Sequence, residues 1–127
     1  MTVELNHTIV YSRDKTASAN ALAALLGLPE PVAVGPFAAI RLSNDVTLDF
    51  AETGGDIAQQ HYAFKVGEDE FQEIFGRIRA GKLDYWADPH RTLPGQANTN
   101  DGGHGVYFTN ADNHVLELLT RDYGSED

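Results

Sequence analysis

Apolar positions recur with two different periods along the chain, and the switches between them predict its elements. Val3, Leu5, His7, Ile9 and Tyr11 alternate with Glu4, Asn6 and Thr8, the period of two that marks a strand. Asp14 is placed to cap a helix, and Ala17, Ala21, Leu22, Leu25 and Leu26 follow at helical spacing until Gly27 and Pro29 stop it. Residues 32–42 predict one or two strands around the Gly35-Pro36 break. After the Asn44-Asp45 turn, Val46, Leu48 and Phe50 alternate along another strand.

The second half repeats this order. Residues 60–66 predict a strand, and Glu68-Asp69-Glu70 supply an acidic first turn for a helix. Phe71, Ile74, Phe75 and Ile78 form an amphipathic stripe that Gly81 closes. Short strands are expected at residues 83–87, 105–109 and 114–120. Each half therefore reads strand, helix, three strands. His61 follows His7 by 61 − 7 = 54 positions, and Gly81 follows Gly27 by 81 − 27 = 54. Glu117 follows Asp49 by 117 − 49 = 68, and the 14 extra residues match the long polar stretch at residues 89–103. A duplication places His7 and His61 on equivalent first strands, and Asp49 and Glu117 on equivalent last strands.

Composition narrows the function. With 127 residues the chain fits a single domain, residues 1–127, with one module at about 3–53 and another at about 57–121. It has no cysteine, which removes disulfides, thiolate metal sites and cysteine nucleophiles. The net charge of −10 argues against a nucleic-acid partner. The apolar stretch at residues 21–28 is far too short to span a bilayer, and no signal peptide is visible, so a cytoplasmic location is expected.

Two histidines and a carboxylate on separate strands can converge on one divalent ion, and without thiolates that donor set suits zinc, iron(II), manganese, nickel or cobalt. Each member has a plainer role open to it. His7 lies on an apolar strand face, where histidines also serve as hydrogen-bonded core residues. Glu117 stands between Val115 and Leu119, where a metal or an arginine such as Arg41 can offset its burial. Asp49 can be a fourth ligand, a general base or a solvated strand residue. His90, His104 and His114 read as loop or surface histidines. Residues 89–104 form a loop long enough to be a lid or an ordered surface excursion, and residues 121–127 read as a solvated tail.

The paired modules, with His7 and His61 on their first strands and Glu117 on the last, resemble the vicinal oxygen chelate superfamily. That superfamily includes glyoxalase I, extradiol dioxygenases, fosfomycin-resistance transferases and bleomycin-resistance proteins. The most specific stretches are His61-Tyr-Ala-Phe, Tyr85-Trp-Ala-Asp-Pro89, Asn100-Asp-Gly-Gly-His-Gly-Val-Tyr-Phe108 and His114-Val-Leu-Glu-Leu118. The resemblance implies an α+β fold of two βαβββ modules forming a cupped mixed sheet, and commonly a homodimer. It implies one divalent metal held by His7, His61 and Glu117.

Three features depart from the family pattern, one of them the last turn, Asn110-Ala-Asp-Asn-His114, where a related branch has Asp-Pro-x-Gly-His. Asp49 stands where glyoxalase I has a glutamate, and His104 stands where a related branch has an arginine, a change that bears on a substrate contact. The resemblance therefore implies a metal-dependent enzyme that chelates two neighbouring oxygens of a small molecule, of isomerase, lyase or dioxygenase type. Glu117 and Asp49 are its candidate catalytic groups, and Arg41, His104, Trp86 and Tyr107 its candidate substrate contacts. Trp86 and Tyr107 also fit as ordinary core aromatics. The alternative is a metal-free protein that sequesters a small ligand, as bleomycin-resistance proteins do.

Overall fold

A computed structural model describes residues 1–125. The last two residues of the expected solvated tail lie outside the described ones. The chain divides into two compact units, Met1–Ala58 and Gln59–Asp127. The first unit runs β1 (His7–Ser12), α1 (Lys15–Leu26), β2 (Val32–Val34), β3 (Phe37–Arg41) and β4 (Thr47–Glu52). The second runs β5 (His61–Lys65), α2 (Glu68–Ala80), β6 (Tyr85–Trp86), β7 (Gly105–Thr109) and β8 (Val115–Leu119). This is the doubled βαβββ order that the hydrophobic pattern predicted, and the class is α+β.

Both sheets share one topology. The strand orders are β1-β4-β3-β2 and β5-β8-β7-β6, with the first pair parallel and the rest antiparallel. Parallel pairing requires a long crossover between its strands, which each unit fills with its helix and two further strands. The duplication also holds at the level of register. In the first unit a straight cross-strand row joins Ile9, Asp49, Ala39 and Val32. In the second it joins Ala63, Glu117, Tyr107 and Trp86. Ala63 follows Ile9 by 54 and Trp86 follows Val32 by 54, whereas Tyr107 follows Ala39 by 68. The 14-residue insertion thus falls between β6 and β7.

The helix ends follow their local chemistry. Asp14 accepts a hydrogen bond from the Ala17 amide at 3.0 Å, which satisfies one of the orphan donors at the start of α1. Gly27 adopts φ 72°, the left-handed turn that glycine tolerates best, and ends the helix. Gly81 ends α2 in a right-handed conformation instead, and the next residue, Lys82, takes the positive φ of 55°. On α1 the buried residues are Ala19, Leu22 and Ala23, not the full stripe of Ala17, Ala21, Leu22, Leu25 and Leu26. The helix is alanine-rich on most sides, so small side chains let it settle close to its sheet on a face that periodicity alone does not mark. The expected stripe of α2 is closer: Phe71, Ile74 and Ile78 are buried, and Phe75 is half-buried with its ring edge-on to Tyr85.

Two strand expectations were too long. Residues 1–6 form no strand, because the partner strand β4 begins at Thr47, opposite His7. The strand expected at residues 83–87 shrinks to Tyr85–Trp86. Past that point the Ala87 amide bonds to Leu93 O, and the Asp88 carboxylate gathers the amides of Thr92 and Leu93, which turns the chain away from the sheet. Residues 89–104 are an ordered excursion. Trp86 bridges to Pro94, Asn98 bridges to Gly105, and a short 3₁₀ turn spans Asn100–Gly102. Asn98 also donates to Ala87 O at 2.8 Å, and its carboxamide fills the space a side chain on Gly105 would need. Among the described residues no helix is long and apolar enough to cross a membrane.

Candidate functional site

Residues facing each other across a sheet point to the same side, so the register decides what shares a face. In the second unit His61, Glu117, Tyr107 and Trp86 share one face, while Phe64, Leu116, Leu118, Val106 and Phe108 fill the other. Glu117 is 3% exposed. An unpaired carboxylate at that depth would cost several kcal/mol. Its Oε1 lies 3.0 Å from His61 Nε2 and accepts from the Tyr123 hydroxyl at 3.2 Å. Arg41, a possible partner for Glu117 on sequence grounds, instead pairs with Asp45 at 3.0 Å on the solvent side of the first unit.

Phenols complete the surroundings of Glu117. Burial first, then the neighbouring Glu117 charge, push the Tyr107 hydroxyl far above its ordinary pKa. The same two causes, in the same order, raise that of Tyr123. Both phenols therefore stay protonated at neutral pH and act as donors to the carboxylate. The rings of His61 and Tyr107 lie 5.9 Å apart. Trp86 is half-buried next to Tyr107 in the row, and the Arg91 guanidinium sits 5.2 Å above its ring. Arg91 also donates to Asn113 Oδ1 at 3.1 Å, which ties the excursion to the β7–β8 turn.

His7 and Asp49 belong to the first unit. His7 opens β1 as His61 opens β5, and Asp49 faces Ile9 as Glu117 faces Ala63. His7 Nδ1 lies 2.7 Å from Asn6 Oδ1. A proton on Nδ1 would leave the lone pair on Nε2. Asp49 is half-buried on β4. Among the described residues, no group of three or more His, Asp or Glu side chains is placed to hold a metal ion. The structure thus assembles His61 with Glu117, and each half carries one histidine and one carboxylate at matching places.

The donor pair itself fits a metal. Ligands at about 2.0–2.2 Å from one ion and at right angles to each other stand about 3 Å apart, which is the separation of His61 Nε2 and Glu117 Oε1. The two atoms are within hydrogen-bond distance, and a cation between them would take the place of that bond.

Two of the remaining histidines, His104 and His114, have other roles. His104 Nδ1 lies 2.7 Å from Glu68 Oε2, and its ring packs 5.7 Å from that of Phe71. Thr120 Oγ1 donates to Glu68 Oε1 at 2.8 Å and accepts from the His104 amide at 2.9 Å. His104 therefore pins the start of α2 to the end of β8. His114 is a correction to the loop or surface reading: it is 1% exposed, its Nδ1 accepts from the Gln60 amide at 3.1 Å, and its ring stands edge-on to Tyr62. Residues 122–124 are exposed, as a solvated tail would be, yet they are tied to the second unit. Asp122 pairs with Lys65 at 3.0 Å, the Gly124 amide donates to Asp101 Oδ1, and Tyr123 reaches Glu117. Nothing in the polar pattern of residues 121–127 signals these contacts, except that an aromatic residue stands alone among charges.

Comparison with known proteins locates this arrangement. No protein-family model and no curated protein matched the chain. Among solved structures, the oxidase ChaP-H1 is 56% identical, with a TM-score of 0.95 over 98% of this chain and 100% of its own. The oxidase ChaP-H2 is 54% identical, with a TM-score of 0.97 over the full length of both chains. The fosfomycin resistance protein FosX from Mesorhizobium loti shares the fold at 23% identity and a TM-score of 0.70, covering 97% of this chain and 96% of its own. A glyoxalase/dioxygenase from Nostoc punctiforme does so at 20% identity and a TM-score of 0.70, over 94% of this chain and 91% of its own. With two full-length relatives above half identity, the chain belongs to the same family as the oxidases ChaP-H1 and ChaP-H2, and it has the doubled βαβββ fold of the glyoxalase, bleomycin-resistance and dioxygenase proteins, the vicinal oxygen chelate fold.

Proposed function

We propose that this protein is a metal-dependent oxidase of dioxygenase type, acting on a small molecule that offers two neighbouring oxygens. One observation carries the metal reading: a buried carboxylate, Glu117, stands 3.0 Å from the imidazole of His61. Full-length likeness to the oxidases ChaP-H1 and ChaP-H2 favours oxidation over isomerisation. The superfamily resemblance implies His7, equivalent to His61 in the repeat, as the third ligand. Two histidines and one carboxylate are the set used by non-haem iron(II) oxygenases. The bound cation would supply Lewis acidity and, as iron(II), a redox partner for dioxygen.

The chain's own residues then have separable tasks. Glu117 brings the negative charge that balances the cation. Tyr107 and Tyr123 keep that carboxylate in one orientation. Trp86, beside Tyr107 on the same face, offers a flat surface against which an aromatic substrate can stack. Asp49 is positioned by the duplication as the counterpart of Glu117 in the first unit.

The test is anaerobic loading with iron(II), followed by measurement of dioxygen uptake with catechols and hydroxylated quinones. Uptake that disappears in His61→Ala and Glu117→Gln but persists in His90→Ala is the expected result. Direct ligands should matter more than the roughly 10–100-fold typical of residues that support them. Tight binding of such molecules to metal-free protein, without dioxygen uptake under any loading, would favour the sequestering alternative.

A further inference from the structure

We infer that Tyr123 is a positioning residue for Glu117, delivered by the C-terminal segment after the last strand. The inference rests on the metal reading of Glu117 and adds a group that neither the strand pattern nor the repeat marks. Tyr123 has no counterpart within the βαβββ core, because it lies beyond β8. Its residue is 71% exposed, yet its hydroxyl turns inward and donates to Glu117 Oε1 at 3.2 Å.

That inward turn is held from both sides. Before it, Asp122 pairs with Lys65 on β5 at 3.0 Å; after it, the Gly124 amide donates to Asp101 Oδ1 at 3.2 Å. Gly124 adopts φ 68°, a left-handed conformation that lets the chain bend there at little cost. The segment is thus fastened to two different elements of the second unit, with the phenol between the fastenings. An exposed tyrosine with no task would gain nothing from these ties.

The oxygen that Tyr123 contacts is the one facing His61 Nε2. A donor on that oxygen restricts rotation of the carboxylate about its last bond. It therefore decides which lone pair is presented beside the imidazole. Partners of this kind around metal ligands typically govern about 10–100-fold in affinity. Tyr107 shares the work from within the sheet, but it is a buried residue whose loss would disturb packing. Tyr123 can be changed with little effect on the core.

The experiment compares cobalt(II) binding by wild type, Tyr123→Phe and Asp122→Asn, with the visible absorption of the bound ion and the melting temperature of the metal-free protein as second and third readouts. Tyr123→Phe is expected to weaken binding by about tenfold or more and to alter the cobalt spectrum. Its metal-free melting temperature should stay near that of wild type. Asp122→Asn, which removes an exposed ion pair but keeps the hydroxyl, should stay within about threefold of wild type. Equal affinity and spectrum in wild type and Tyr123→Phe would overturn the inference and leave the metal reading standing. Equal weakening in Asp122→Asn would also overturn it, since general anchoring of the tail would then suffice. Wild type that takes up no cation would overturn the metal reading, and this inference with it.

Discussion

Glu68 links three elements through one side chain, because its carboxylate accepts from Thr120 Oγ1 and meets His104 Nδ1. The Thr120 hydroxyl, and then the imidazole of His104, hold its carboxyl below the ordinary range. A carboxyl that titrates lower in the folded chain than in the unfolded one contributes fully above the unfolded value, about pH 4.3. That contribution fades as pH falls through the lower folded value. Urea unfolding near pH 7 should therefore show Glu68→Gln to be less stable than wild type, and near pH 3 the gap should be smaller. A gap of the same size at both pH values would mean that the carboxylate's charge is irrelevant there. The position matters because Glu68 and Thr120 hold His104. In this chain His104 works as a tie between α2 and β8.

Elements show where local rules are kept and where they are bent. The first helix ends on a left-handed glycine, whereas the second passes that conformation on to Lys82, a residue with a side chain to accommodate. Left-handed backbone costs a non-glycine residue about 1 kcal/mol or more. Lys82→Gly should raise the melting temperature, with a gain of at most about 1 kcal/mol once the extra freedom of the unfolded glycine is counted. A fall would show that the lysine stem makes packing contacts that outweigh the strain.

The excursion after β6 depends on Asp88. Its two oxygens accept from the Thr92 amide at 2.9 and 3.1 Å, from the Leu93 amide at 2.9 Å and from the Thr92 hydroxyl at 2.7 Å. These donors, led by the Thr92 hydroxyl, hold its carboxyl below the ordinary range. In Asp88→Ala the amides of Thr92 and Leu93 should exchange with solvent much faster, while those of α2 keep their protection. Unchanged exchange at Thr92 and Leu93 would mean that the Trp86 and Asn98 bridges suffice to order the segment.

At the scale of the molecule, the two units repeat one design with different contents. The first sheet turns Ile9, Tyr11, Val32 and Val34 to one side, and all four are exposed. The register puts them on the same face as His7 and Asp49. A row of large exposed apolar side chains on a single face is the kind of surface through which chains associate, and a two-fold pair of identical chains is the commonest closed assembly. A homodimer is expected despite the net charge of −10, because salt screens repulsion beyond about 8 Å at physiological ionic strength. Light scattering should give twice the chain mass, and Tyr11→Glu should lower it toward that of one chain. A single-chain mass for wild type over a wide concentration range would exclude the dimer.

Much of this protein is written in local sequence. Strand and helix order, the Asp14 cap, the Gly27 stop and the change of repeat offset from 54 to 68 depend on neighbouring residues or simple spacing. Such signals survive without knowledge of the fold, as does the matching of His7 with His61 and of Asp49 with Glu117. Tertiary structure decided what depends on partners far along the chain. Periodicity did not choose the buried face of α1, because alanine on most sides leaves the choice to the sheet. Polarity placed His114 near the surface, yet the parallel pairing of β5 with β8 brings the Gln60 amide to it and buries it. The same return of the chain carries Tyr123 from a charged tail to the carboxylate of Glu117. Folding brings these groups together, and no period within the sequence encodes the meeting.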